Sequence, residues 1–156
     1  MRKWYLAGAA VALAVLIPVV ALAVTPPKSG AGALDEQWFR WKDFSSSTSS
    51  TSFVDVPGFN NNAVCIVNGV VVNVSILATG APFQIKVLDT HGLSTTTMLP
   101  GPVTVRPGAH ATPFSFQWVL AGESNGSHQF DVQWKALGGT STIRKGTMDI
   151  LFQDCV

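Results

Sequence analysis

The stretch QFDVQWKA, from Gln129 to Ala136, decides the fold class because its apolar and polar residues alternate one by one. Successive side chains of a β-strand point to opposite faces of the sheet, so this pattern predicts a strand with one buried face. Aromatic residues in strict alternation usually pack between two sheets. Trp134 is therefore predicted to be a core residue, with a platform for a ligand as the alternative. The predicted buried face consists of Phe130, Val132 and Trp134.

The stretch PFSFQWVL, from Pro113 to Leu120, shows the same alternation and makes Trp118 a second predicted core residue. Two neighbouring strands with matched patterns predict an antiparallel pair with one buried face. A turn at Gly138-Gly139 then predicts a hairpin that places Trp134 opposite Ile143. The apolar side of the first strand consists of Phe114, Phe116, Trp118 and Leu120.

Residues 53–156 consist of short apolar runs separated by Gly, Pro and Asn, which is typical of all-β proteins. Asn68-Gly69 supplies the two positive-φ residues of a type I′ turn and predicts a hairpin between AVCIV and VVVNVSIL. About eight to ten strands predict an all-β, two-layer antiparallel β-sandwich, with the jelly roll as one topology that fits. The predicted core face of the hairpin consists of Cys65, Val67, Val70, Val72, Val74 and Ile76.

The N-terminal region has the order of a secretory signal peptide. Arg2-Lys3 precede an apolar run that ends near Ala21-Leu22-Ala23, a small-x-small cleavage motif. We predict a signal peptide over residues 1–23, cleaved after Ala23. Residues 6–24 are also long enough to span a membrane, so a retained membrane anchor is the alternative. Both predictions place the rest of the chain in the extracellular space or at the cell surface.

Residues 24–36 include the Pro- and Gly-rich segment TPPKSGAGA and are predicted to be a flexible tether to a β-sandwich domain over residues 37–156. The domain begins with an aromatic cluster, Trp38, Phe39 and Trp41, for which periodicity leaves helix and strand open. We predict a first strand that covers an open edge of the sandwich. The alternative is an exposed patch that stacks on sugars or lies at a membrane interface.

Charge and cysteine content narrow the expected partners. Without Arg2 and Lys3, the chain carries eight basic and nine acidic residues. No basic stripe is available to neutralise phosphates, so nucleic acid is not an expected partner. A membrane is an expected partner only if the N-terminal segment is retained as an anchor. Cys65 and Cys155 are the two cysteines, and an even number in an oxidising compartment predicts a disulfide between them.

The sequence contains one motif that resembles a catalytic site. The segment Gly122–Gly126, GESNG, matches the G-x-S-x-G nucleophile motif around Ser124. That motif requires a strand before it and a helix after it, whereas a predicted strand follows here. The acidic residues are few and scattered, so the paired carboxylates of glycoside hydrolysis are not expected either. We therefore expect no enzyme activity, no catalytic residues and no cofactor.

The three histidines are His91, His110 and His128, and a metal site with Asp89 or Asp131 is one hypothesis for them. His91 precedes a glycine, and His110 lies in PGAHATP, so both are predicted to be exposed loop residues and no metal site is expected. Together with the aromatic cluster, His91 and His110 are the candidate residues for ligand binding.

Two N-glycosylation sequons begin at Asn73 and Asn125. Such matches arise easily by chance in a chain rich in Ser and Thr. Both asparagines are candidate modification sites only where the exporting organism has the machinery.

The segments SSTSFVDVPGF (Ser49–Phe59) and FSFQWVLAGESNGSHQFDVQWKALGGTST (Phe114–Thr142) resemble a β-sandwich module. This module is found at the C-terminal ends of phage tail-fibre-like and bacterial secreted surface proteins. The resemblance implies an early strand and turn at Phe53–Gly58 and a later strand at Val132–Trp134. It implies no catalytic residues. The cysteine pair and the segment NNNAVCIVNGVVV depart from the module.

The expected function is a non-catalytic binding or adhesion module whose ligand is a glycan or another cell-surface molecule. The rigid scaffold and variable loops of such sandwiches suit recognition. The alternative is a self-assembling structural subunit of a surface or phage-like appendage, and hence a homo-oligomer. A hydrolase is the third class considered.

Overall fold

The computed structural model describes residues 34–41, 45–60, 64–120 and 125–154, with only the backbone for residues 34–41, 64, 65, 67, 68, 153 and 154. The predicted signal or anchor segment, its cleavage site at Ala23 and most of the predicted tether lie outside these residues. Within the described ranges, no helix is long and apolar enough to cross a membrane.

The described residues form ten strands and confirm the all-β prediction. Every strand pair is antiparallel. The strands are β1 (Leu34–Trp41), β2 (Ser46–Thr48), β3 (Val54–Asn60), β4 (Val64–Gly80), β5 (Phe83–His91), β6 (Ser94–Thr97), β7 (Val103–Val105), β8 (Thr112–Leu120), β9 (Gly126–Ala136) and β10 (Ser141–Asp154).

The strands pack as two layers. The first layer has the order β1 with β2, β10, β4 and β8, and the second has the order β3, β9, β5 and β6 with β7. The start of β4 also pairs with the start of β9, where Ile66 lies opposite Gly126, so the two layers are joined at one corner. Because the chain crosses repeatedly between the layers, this strand order is that of a jelly roll.

The core lies between the two layers and contains both predicted tryptophans. Trp118 and Trp134 are fully buried, as the alternation of their strands predicts. The rings of Trp134 and Phe83 meet edge to face with centroids 5.7 Å apart, an arrangement that aromatic pairs prefer. The indole nitrogen of Trp118 donates a hydrogen bond to the carbonyl oxygen of Gly101 at 2.9 Å, which fastens the loop between β6 and β7 to the core.

The predicted pairing of β8 with β9 is wrong. β8 pairs with β4, whereas β9 pairs with β3 and β5, so the two strands lie in opposite layers. Trp134 lies opposite Ile85 and Val54, and Ile143 lies opposite Ala78. The predicted Gly138-Gly139 hairpin is thus wrong as well, and that segment crosses between layers. Alternation reveals a buried face, and two strands that face each other across a core have the same alternation as two neighbours in a sheet.

The predicted hairpin at Asn68-Gly69 is also wrong, because β4 continues through it as one strand. Its neighbour β10 is long enough to pair with both apolar runs, and residues 68 and 69 form a bulge between the pairs Phe152–Val70 and Gln153–Val67. Gly69 does have a positive φ of 113°. A Cβ at this glycine would lie 2.9 Å from the carbonyl oxygen of Leu120. The glycine therefore permits a kink and a close approach instead of a turn.

The predicted first strand is confirmed as β1, which begins at Leu34, within the segment predicted to be tether. β1 lies at one end of the first layer, and its eight residues pair with β10 without interruption. Phe39 and Trp41 lie opposite Met148 and Gly146, which are buried.

Candidate functional site

The candidate site is the solvent side of the first layer, which we call the outer face. Residues directly opposite each other on paired strands share a face of the sheet. Successive cross-strand pairs therefore define rows of residues that run from β10 through β4 to β8. Two of these rows lie side by side: Asp149, Asn73 and Gln117 in one, and Leu151, Val71 and Val119 in the other.

The first row, which we call the polar row, is joined by side-chain hydrogen bonds. The Gln117 amide nitrogen donates to the Asn73 side-chain oxygen at 3.1 Å. The Asn73 amide nitrogen donates in turn to Asp149 Oδ2 at 3.1 Å. An amide that both donates and accepts is fixed in orientation. The row thus holds two amides and a carboxylate in a fixed order across three strands.

Asp149 is unusual because a carboxylate on the outer face of a sheet is ordinarily well hydrated. Its side chain is only 9% exposed. Its Oδ1 is buried and has no hydrogen-bond partner among the residues that the structure describes. A buried acceptor without a donor is costly, so a ligand hydroxyl or amide would gain a hydrogen bond there only where its approach uncovers Oδ1.

The second row, which we call the apolar row, lies beside the polar row. Leu151 and Val119 are 41% and 37% exposed. Leu99, 61% exposed, extends the row through a backbone bridge to Val119. The outer face therefore offers apolar surface next to fixed hydrogen-bonding groups, the combination found in ligand-binding sites.

The aromatic cluster divides between the two faces. The register of β1 places Trp38 opposite Asp149, at the end of the polar row. Phe39 and Trp41 take the other parity, which faces the core. The backbone register of β1 therefore places one of the three predicted ligand-binding aromatic residues, Trp38, at the candidate site.

The histidines lie away from the outer face. His110 is exposed between β7 and β8, as predicted. The prediction that His91 is a loop residue is wrong, because β5 extends to His91, which pairs with His128. Their rings stack with centroids 4.2 Å apart, and His91 Nδ1 donates to the Ser127 carbonyl oxygen at 3.1 Å.

His128 is fully buried and bonded to Asp89. This pair therefore stabilises the fold and is closed to a large ligand. In the part of the chain that the structure describes, no group of three or more His, Cys, Asp or Glu side chains could hold a metal ion.

Several predicted sites are only partly covered by the described residues. The side chain of Cys65 and the whole of Cys155 lie outside them, as does Ser124 of the nucleophile motif. Asn125 is exposed at a bend before β9. Asn73 is half-buried and engaged in the polar row, so a glycan on it would break the hydrogen bonds to its neighbours.

Sequence reasoning missed the polar row. The alternation in VVVNVSIL and PFSFQWVL does place Asn73 and Gln117 on solvent faces. Asp149 has the same signal in TMDILF, where Met148 and Ile150 flank it. The signal could not show that the three strands are neighbours.

The comparisons with known proteins bear on the fold. No protein-family model and no curated protein matches the sequence. Among solved structures, the infectious bursal disease virus VP2 subviral particle matches with a TM-score of 0.52 and 12% identity, over 88% of this chain and 38% of that chain. A structure of the Gx strain of the same virus matches with a TM-score of 0.51 and 11% identity, over 79% and 33%.

The chain thus spans 33% and 38% of the lengths of these two viral proteins. At such identities the likeness shows the fold alone. It supports the β-sandwich that the sequence resemblance implied, and it does not extend to the specific module of tail-fibre-like and secreted surface proteins.

Proposed function

We propose that the chain is an exported, non-catalytic binding module whose outer face recognises a neutral glycan. The observation that carries this proposal is the polar row, which ends in Asp149, whose buried Oδ1 has no hydrogen-bond partner within the described part of the chain. Export is supported by the N-terminal signal pattern. A non-catalytic role is supported by the burial of His128, which follows the nucleophile motif in sequence but is closed to substrate.

A neutral glycan fits the chemistry of the outer face. Sugar hydroxyls both donate and accept hydrogen bonds, so they can pair with a carboxylate acceptor and with amides. The ring C–H groups of a sugar would cover the apolar row. The polar row carries one acidic group and no basic group, so it offers no cation to pair with an anionic ligand.

Binding to a panel of neutral oligosaccharides, followed by calorimetry on the tightest, tests the proposal. A hydrogen bond to a charged group contributes about 1.5–3 kcal/mol, so Asp149→Asn should weaken binding by about tenfold to a hundredfold. Val119→Ala should weaken it less, because it removes apolar surface only.

Asp55→Asn is the matched control. Asp55 also accepts a hydrogen bond from an amide, that of Gln133 at 2.9 Å, but on the second layer. This variant should bind like the unchanged chain. Equal losses in the Asp149 and Asp55 variants, or no saturable binding by the unchanged chain, would contradict the proposal.

A self-assembling structural subunit is the second candidate function, and the specific observation that favours it is the uninterrupted strand β1 at the end of the first layer. The viral protein that matches in fold is itself described in a subviral particle. Concentration-dependent sedimentation together with glycan binding would show whether either activity occurs without the other.

A further inference from the structure

The two layers end in four edges, and three of them are blocked against pairing with another chain. β3 carries Pro57, and its register with β9 is interrupted between Asp55 and Asn60. β8 carries Pro113, and Leu99 exchanges two backbone hydrogen bonds with Val119 there. β6 and β7 are only four and three residues long. Proline, bulges and short strands are the usual protection of sheet edges.

The fourth edge, β1, has none of these features. Its eight residues contain no proline and pair with β10 in one unbroken register from Leu34–Gln153 to Trp41–Gly146. Among the strands that the structure describes, β10 is its only partner. Within the described residues, no strand pairs with the backbone donors and acceptors on the other side of β1.

We propose that β1 pairs antiparallel with β1 of a second copy of this chain, around a twofold axis perpendicular to the sheet. Such an axis keeps the outer faces of both copies on the same side of one continuous sheet. Directly opposite residues must then share a face, so even-numbered residues pair with even-numbered ones. The even-numbered residues of β1 are Leu34, Glu36, Trp38 and Arg40, whose register places them opposite Gln153, Leu151, Asp149 and Thr147 of β10.

The charges along β1 select one register. With Trp38 opposite its own copy, Glu36 of each chain lies opposite Arg40 of the other, which gives two opposite-charge pairs and a central aromatic pair. Both kinds of cross-strand pair are stabilising. Centring the pair on Glu36 or on Arg40 would oppose like charges, and centring it on Gln37 pairs no charges. A self-complementary strand of this kind gives a closed, isologous dimer.

This dimer rests on the second proposed function, self-assembly, and specifies the partner as a second copy paired through β1. It does not depend on glycan binding. It would also join two outer faces into one surface. A glycan with repeated units could then contact both copies, and its effective affinity would rise without a new contact.

Sedimentation of the full chain, purified with whatever N-terminal processing the cell carries out, tests the proposal. Two charge-reversal variants are compared with the unchanged chain. Glu36→Arg places two arginines opposite each other at each charged pair, and Arg40→Glu places two glutamates there. Each should weaken dimerisation by about tenfold or more, because like charges directly opposite each other are destabilising. An equimolar mixture of the two variants should recover the dimer, because each strand then meets opposite charges.

Arg106→Glu is the matched control, because Arg106 is exposed after β7, in the second layer, and undergoes the same change of charge. It should dimerise normally. An unchanged chain that stays monomeric would overturn the proposal. Protection of the β1 amides from hydrogen exchange in that monomer would then show that the chain's own N-terminal segment covers the edge. Two weakened variants that fail to recover on mixing would overturn it too.

Discussion

His128 Nδ1 lies 2.8 and 3.0 Å from the two carboxylate oxygens of Asp89, and both side chains are buried. The imidazole N–H donates to the carboxylate, so the pair satisfies polar groups that would otherwise be costly inside a core. His91 stacks on the other side of the pair. Because His128 is the last residue of the segment Gly126–His128, which pairs with β4 and joins the two layers, the pair stabilises the corner of the sandwich.

The first prediction concerns this pair. His128→Leu should lower the free energy of unfolding by about 3–5 kcal/mol, because it leaves the Asp89 carboxylate buried without its donor. The double variant Asp89→Leu/His128→Leu should recover much of the loss, because apolar replacement of both partners is often tolerated. Urea denaturation measures all three chains. A double variant less stable than the His128 variant would contradict the prediction.

The sequence contains a signal for this pair. His128 has the same strand parity as Phe130, Val132 and Trp134, and Asp89 has the same parity as Val87. A polar residue at a core-facing position needs a partner, so both could have been predicted to be buried and bonded. Their pairing could not, because alternation carries no information on which strands are neighbours. The same lack of information explains the wrong pairing of β8 with β9.

The second prediction concerns Trp118 and Trp134. Changing either to Ala should lower the free energy of unfolding by about 3–5 kcal/mol, since each leaves a large cavity between the layers. Val119→Ala is the matched control for Trp118, because it lies on the same strand and faces solvent; its cost should stay below about 1 kcal/mol. Thermal or urea unfolding measures these values. Retention of stability with loss of ligand binding would instead favour the platform hypothesis.

The third prediction is the Cys65–Cys155 disulfide, which stays a prediction because these side chains lie outside the described residues. The register of β10 with β4 pairs Asp154 with Ile66. Asp154 and Ile66 are each the sequence neighbour of one cysteine, so the described strands bring the two cysteine-bearing segments close together. On the backbone of β4, Cys65 takes the parity opposite to the buried Ile66.

Mass analysis of the unreduced, unfolded chain should find no free thiol. In the chain-entropy model, closing this long loop stabilises the fold by up to about 4–5 kcal/mol. Cys65→Ser and Cys155→Ser should therefore lower stability equally, and their double variant no further. Two reactive thiols in the unreduced protein would exclude the bond.

The last prediction is a pH dependence at Asp131 on β9. Burial raises the pKa of this carboxyl above its ordinary value of 3.8; a hydrogen bond from Gln129 lowers the pKa in part, and the nearby charge of Asp55 raises it further. A raised pKa means that the charged carboxylate is less favourable in the folded protein than in the unfolded chain. The penalty to the free energy of unfolding is present in full above the raised pKa and disappears as the pH falls below 3.8.

Asp131→Asn keeps an acceptor for the Gln129 amide and removes the charge, so it should stabilise the protein at pH 7. The gain should shrink through the acidic range and vanish near pH 3. Urea midpoints of the two proteins across that range measure the difference, and a gain that is the same at both ends of the range would show that the carboxylate charge is not its cause.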